Sequence, residues 1–188
     1  MSFLDYILFG IYPYIAIAIF LLGSLIRFDR EQYTWKSDSS QLLKRGQLRW
    51  GSNLFHIGII GLMFGHAVGL LTPHEVYHAM GLSTELKQLI AMVAGGIMGS
   101  ICLAGVLLLV HRRLTEPRIL ATSTRMDIFI LLWILATLCL GLFSIIISSQ
   151  HMDGSVMLLL ADWAQHIVTF RAGAAELLTN VSVFYKIH

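Results

Sequence analysis

The sequence predicts an all-α fold: a polytopic membrane helix bundle with four full transmembrane helices and the start of a fifth, N-terminus outside. Three observations predict it. The 188-residue chain is 56% hydrophobic and 13% charged, against roughly 25% charged for an average soluble domain. Its mean hydropathy is +0.74, more apolar surface than a soluble domain of this length can bury. Its basic residues also gather in alternate loops. These figures exclude a disordered chain, a disulfide-built secreted scaffold and an ordinary cytosolic enzyme. A net charge of +2 is too small to argue for a nucleic-acid partner. Cys102 and Cys139 lie in the apolar runs SICLAG and TLCLG. They suggest no disulfide, zinc site or iron–sulfur cluster, and without a C-x-x-C-H motif any haem is held non-covalently.

A bilayer core needs about 20 apolar residues in a helix. The first qualifying stretch runs from about Tyr6 to Ile26. It is not a cleaved signal peptide: Asp5 precedes it, no basic residue does, and no small-residue cleavage site follows. Pro13 falls early in it, where a helix tolerates proline better. The second runs from Leu54 to Leu71, the third from Leu89 to Val110 and the fourth from Ile128 to Ile147. A loop from Ser148 to Gly173 follows. A fifth stretch begins near Ala174, carries Glu176, Asn180 and Lys186, and reaches His188. At about 15 residues, or about 22 Å, it reads as the start of a span whose remainder is missing.

Loop charge orients the bundle. The loop from Arg27 to Gly51 carries Arg27, Arg30, Lys36, Lys44, Arg45 and Arg49, and the loop after span three carries Arg112, Arg113, Arg118 and Arg125. The two loops on the opposite side carry only Lys87 and Arg171. Ten against two is a strong positive-inside signal. The N-terminus is outside and the two basic loops are cytoplasmic, where they also offer a docking face.

Span two holds His56 and His66, and ionisable groups at that depth are expensive and functional by default. Neutral imidazole is a common axial ligand of haem iron. Ten residues give a rise of about 15 Å, so His56 lies toward the cytoplasm and His66 toward the outside. Two haems at two depths would make a transmembrane electron wire. Ten residues also leave the side chains about 80° apart around the helix, so tilt or a bend must absorb the difference. A single membrane histidine is more simply a hydrogen-bonded helix contact; two at opposite depths favour haem. Bis-histidine ligation needs a partner helix. His188 is the remaining histidine in an apolar run, at mid-to-outer depth, and can face His66; none remains to face His56. Gly58, Gly61, Gly65 and Gly69 form a stripe at helical spacing. It serves close helix packing or, beside Gly65, room for a porphyrin edge. Gly95, Gly96, Gly99 and Gly105 on span three read as packing.

The segments IYPYIA, RFDREQYTWKSDSSQLL, GSNLFHIGI, GHAVGLLTPH, LLLVHRRL, SSQHMDGS, WAQHIVTFRAGAA and FYKIH occur in order. Through them the chain resembles the gamma subunit of membrane-bound respiratory nitrate reductase, a di-haem cytochrome b, over nearly its whole length. The resemblance implies one transmembrane cytochrome b domain over residues 1–188, C-terminally truncated, in a bacterial inner membrane. It implies five helices and two b haems. His66 and His188 would hold the distal haem and His56 one side of the proximal haem; the family's fourth ligand and basic tail have no counterpart. It implies quinol oxidation near the outer face and electron transfer to an iron–sulfur beta subunit and a molybdenum alpha subunit that reduces nitrate. Lys87 matches a lysine of the family's quinol site, with Gly65 and His66 as its haem-side wall. Apart from the resemblance, Lys87 is an interfacial lysine that snorkels to headgroups.

The other histidines read as solvated or structural: His74 and His78 near Pro73, where a proton relay is the sharper alternative, and His151 and His166 in the outer loop. Arg112 and Arg113 suit haem propionates as well as they suit topology. Trp50, Trp163 and the N-terminal tyrosines read as interfacial aromatics. Met92, Met98 and Met126 read as packing. Two other functions fit parts of the pattern. One is the cytochrome b subunit of a formate dehydrogenase or hydrogenase, against which SSQHMDGS and FDREQYTW speak. The other is a haem-free membrane anchor or transporter, whose inverted repeats are absent.

Overall fold

A computed structural model of the chain describes residues 2–34, 42–150 and 152–188. Lys36 and His151 lie outside the described residues. Four helices are long and apolar enough to cross a membrane: Phe3–Glu31, Arg45–Leu71, Thr84–Thr115 and Arg125–Ser148. Each contains one of the four expected spans. The second and third extend beyond their apolar centres, the second starting after Lys44 in the left-handed region (φ 43°) and the third at the Ser83 cap.

The first crossing comprises α1 (Phe3–Tyr6), a π-helical turn (Ile7–Ile11) and α2 (Tyr12–Glu31). Ser2 caps its start, its Oγ accepting the Asp5 N–H at 3.0 Å. Pro13 explains the π turn. It has no N–H for the Phe9 carbonyl four residues back, and its ring crowds that oxygen. A π turn directly before it widens the ladder and absorbs the conflict. Ile19, Phe20, Leu22 and Leu25 of α2 remain exposed, as on a helix that faces lipid.

α3 (Arg45–Leu71) and α5 (Thr84–Thr115) form the tightest pair. Small residues bring their backbones together. A Cβ on Gly58 would meet Cys102 Cβ at 2.5 Å, and one on Gly105 would meet the Gly51 carbonyl at 2.8 Å. Between them α4 (His74–Ala79) turns the chain, with Pro73 before it. Ser83 then caps α5, its Oγ accepting the Leu86 N–H at 3.2 Å. After α6 (Pro117–Thr122), α7 (Arg125–Ser148) starts with a capping box of Thr124 and Asp127. α7 packs on α5 through the buried cluster of Cys102, Val106 and Leu138. Gly99 meets it most closely, for a Cβ there would lie 2.7 Å from Leu142.

Two expectations change beyond α7. The stretch from Ser148 to Gly173 is not simply a loop: it contains α8 (Ser155–Val168). Ala161, Ala164 and Ile167 are buried at spacing three, the inward stripe of an amphipathic helix. The fifth stretch is not one continuous helix. It divides into α9 (Ala174–Leu177) and α10 (Val183–Ile187). Leu178 and Val181 between them are 2% and 5% exposed, so the apolar side chains of the break turn into the protein.

α8 lies across the outer helix ends. Gln165 Nε2 donates to the carbonyls of Leu70 at 3.1 Å and Thr72 at 3.3 Å. Trp163 Nε1 donates to the Phe9 carbonyl at 2.9 Å. Trp163 is thus an internal anchor of the first helix rather than a residue of the interfacial belt, while Trp50 is well exposed. Lys186 pairs with Asp5 at 3.3 Å, which ties α10 to the N-terminal helix.

Candidate functional site: facing histidines and a buried lysine

α3 carries His56 and His66 ten residues apart, and both use the same local device. His66 Nδ1 lies 2.8 Å from the Leu62 carbonyl and His56 Nδ1 lies 2.7 Å from the Ser52 carbonyl. An Nδ1–H donated to the turn below fixes the tautomer and leaves Nε2 as a free acceptor, the arrangement that suits a metal-ligating imidazole. His66 and His188 come together, with ring centroids 6.2 Å apart and planes 55° apart. A metal between two imidazoles needs about 2 Å to each nitrogen, and half a ring beyond each nitrogen brings the span to about 6 Å. The two imidazoles fit a haem iron, which His66 and His188 would hold between them. His56 stands edge-on to Phe55, ring centroids 5.3 Å apart.

Glycines shape the space around the pair. A Cβ on Gly141 of α7 would meet His188 Cε1 at 2.7 Å, so only glycine there admits the ring. The stripe on α3 divides in two. Gly58 and Gly61 are occupied by Cys102 and Met98 of α5, whereas a Cβ on Gly65 or Gly69 would meet nothing within 4 Å. Packing explains the cytoplasmic half of the stripe and open space the outer half, one residue from His66. On α5, Gly105 and Gly99 pack as expected, while Gly95 and Gly96 only reach Ile145 at 3.8 and 4.0 Å.

Lys87 lies in the first turn of α5. Its Nζ is buried, and among the described residues no hydrogen-bond acceptor reaches it. It sits 4.0 Å over the centre of the Tyr77 ring. Snorkelling to the headgroups is therefore not its state here. Further along α5, an apolar groove of about 470 Å³ is lined by Leu89, Ile90, Val93, Ala94, Ile97 and Met98. Tyr77 itself is only 4% exposed. Burial pushes its phenol above the ordinary value, and the negative charges of Asp162 and Glu75 add to the rise.

At the opposite end the arginines are engaged in structure. Arg112, 3% exposed, donates to the Leu43 carbonyl at 2.8 Å from Nη2 and 3.3 Å from Nε. Arg113 donates to Ser123 Oγ at 2.9 Å and lies 3.6 Å from Asp127. Both hold the cytoplasmic connections onto the bundle. His74 and His78 are exposed, His74 lying 3.1 Å from Glu75. His166 bonds within its own helix to the Asp162 carbonyl at 2.8 Å, a structural role.

A family profile described as nitrate reductase gamma subunit matches residues 5–188. The chain belongs to the nitrate reductase gamma subunit family. It is 50% identical to the respiratory nitrate reductase 1 gamma chain of Escherichia coli K12 over 188 residues, covering 100% of this chain and 83% of that one. It is also 50% identical to the respiratory nitrate reductase 2 gamma chain of the same organism, with the same coverage. A nitrate reductase gamma chain of Bacillus subtilis 168 is 34% identical over 97% of this chain and 81% of its own length. The chain is thus a multi-pass membrane subunit of a respiratory nitrate reductase, an oxidoreductase.

Sequence reasoning missed two residues of this family member's outer end. Tyr77 lies in the same outer connection as Lys87, and that shared position was the available signal. Trp163 by itself reads only as an interfacial aromatic; the available signal was the apolar stripe Ala161, Ala164 and Ile167 at helical spacing around it.

Proposed function

We propose that this chain oxidises membrane quinol near its outer face and sends the electrons inward to nitrate-reducing subunits. The observation that carries the proposal is the approach of His66 on α3 and His188 at the end of α10, with ring centroids 6.2 Å apart. Two b haems, when bound, supply one-electron carriers at two depths of the membrane. His66 and His188 would hold the distal one, and His56 would supply a ligand to the proximal one.

The chain's own residues account for the rest. The Leu62 and Ser52 carbonyls keep each Nε2 free for iron. The Lys87 ammonium offers its N–H donors to a quinol oxygen and stabilises negative charge as the hydroxyl proton leaves. Gly65 and His66 form the opposite wall, and the groove along α5 is an apolar berth for a hydrocarbon tail. Quinol loses two protons and two electrons to become quinone. The protons leave outside. The electrons travel inward to an iron–sulfur beta subunit and a molybdenum alpha subunit, where nitrate, two electrons and two protons give nitrite and water. Each charge moved through 100 mV stores about 2.3 kcal/mol.

Dithionite-reduced minus oxidised spectra of membranes containing the assembled complex test this. His66→Ala should remove one b haem and His56→Ala the other. Both haems retained in both variants would overturn the ligand assignment.

A further inference from the structure

We infer that Tyr77 is a positioning residue for quinol binding: its ring face holds the Lys87 ammonium in place while leaving the ammonium's N–H donors for the substrate. The inference rests on the quinol reading above and names a residue beyond it. An ammonium taken out of water is costly unless something compensates its charge. Lys87 Nζ is buried and no hydrogen-bond acceptor among the described residues reaches it. The compensation in contact with it is the aromatic face 4.0 Å away, whose quadrupole attracts a cation; the negative charge of Asp162, beyond salt-bridge distance, adds to it. A carboxylate in that place would neutralise the charge and consume donors. An aromatic ring does neither, so the N–H groups that point away from the ring stay available to an incoming oxygen.

The ring is held firmly enough for this work. Tyr77 is buried, and its carbonyl accepts the Leu82 N–H at 3.0 Å. Gly81, with φ +79°, turns the chain from α4 into the Ser83 cap of α5. His78 lies against the ring at 4.9 Å. On the other side of Lys87, Gln88 Nε2 donates to Ser148 Oγ at 2.9 Å and its carbonyl at 3.1 Å, which fixes α5 against α7. Ring and ammonium therefore sit on two short, braced segments.

The test uses the full nitrate reductase complex with menadiol as electron donor, and nitrate reduction driven by reduced viologen as a control for the other subunits. Tyr77→Leu should raise the menadiol KM about tenfold with a smaller change in kcat, and Tyr77→Phe should recover most of that loss. Replacing Tyr77 by increasingly fluorinated phenylalanines, which keep the shape and weaken the ring's negative face, should raise KM stepwise. Tyr77→Leu should add nothing in a Lys87→Gln background. A flat KM across the fluorinated series, or an equal effect of Tyr77→Leu with Lys87 absent, would overturn the inference. An unchanged menadiol KM in Lys87→Gln alone would instead sink the assignment of Lys87 to the quinol site.

Discussion

The indole N–H of Trp163 donates to the carbonyl of Phe9 at 2.9 Å, and Phe9 is the residue whose helical donor Pro13 cannot supply. One side chain from α8 thus satisfies the acceptor that proline orphans within the first helix. The indole also meets the Phe9 ring edge-on at 6.3 Å. An unsatisfied carbonyl in an apolar setting costs about 1–3 kcal/mol, so the contact both anchors α8 and makes an early proline acceptable.

Trp163→Phe should therefore lower the thermal midpoint of the purified complex, with a loss of about 1–3 kcal/mol. In a Pro13→Ala background, where residue 13 regains an N–H, the same substitution should cost less. Equal costs in the two backgrounds would mean that the indole contributes packing alone.

Gly58 and Gly65 share a stripe yet should respond unequally to a methyl group. Gly58→Ala places a Cβ 2.5 Å from Cys102, and overpacking of that kind costs about 1–3 kcal/mol. Gly65→Ala meets no protein atom within 4 Å and should lower the melting temperature clearly less than Gly58→Ala. Thermal melts of both variants decide this, and equal destabilisation would contradict the split.

Gly141→Val should disturb the distal haem selectively. Its Cβ would press on His188 Cε1 at 2.7 Å and displace the ring from His66. Redox titration of the two b haems should show the distal signal weakened or lost and the proximal one kept. Loss of both in equal measure would point to general misfolding, and retention of both would remove His188 as a ligand.

Alkaline pH should expose the burial of Tyr77. Its phenol is raised above the unfolded value of about 10, so the neutral form is favoured by folding. That contribution is complete below about pH 10 and is lost as pH rises through the higher folded value. As pH rises above about 10, wild-type stability should fall more steeply than that of Tyr77→Phe. Parallel curves would show the phenol to be solvated.

Arg112→Ala should destabilise the chain by about 1–3 kcal/mol, because the Leu43 carbonyl loses both guanidinium donors. A haem lost at the proximal position with no change in stability would favour a propionate partner instead.

Hydropathy is summed along the chain, so the sequence by itself determined the four crossings. The ordered motifs likewise carried the family. What it left open were relations between distant segments. Phe9 and Trp163 are 154 residues apart, and no periodicity links them. Ser155–Val168 mixes apolar and polar residues because it packs on one side only, so it read as loop. The start of the fifth stretch read as a plain span because Leu178 and Val181 are apolar, although they turn inward at a break. A stripe of four glycines reads alike along its length, but only the approach of α5 decides that two are filled and two are open. Lys87 read equally as a headgroup lysine or a ligand-binding one, and the Tyr77 ring decides where its charge sits. Local composition selects which residues can enter a membrane; the packing of helices against each other selects which of them meet.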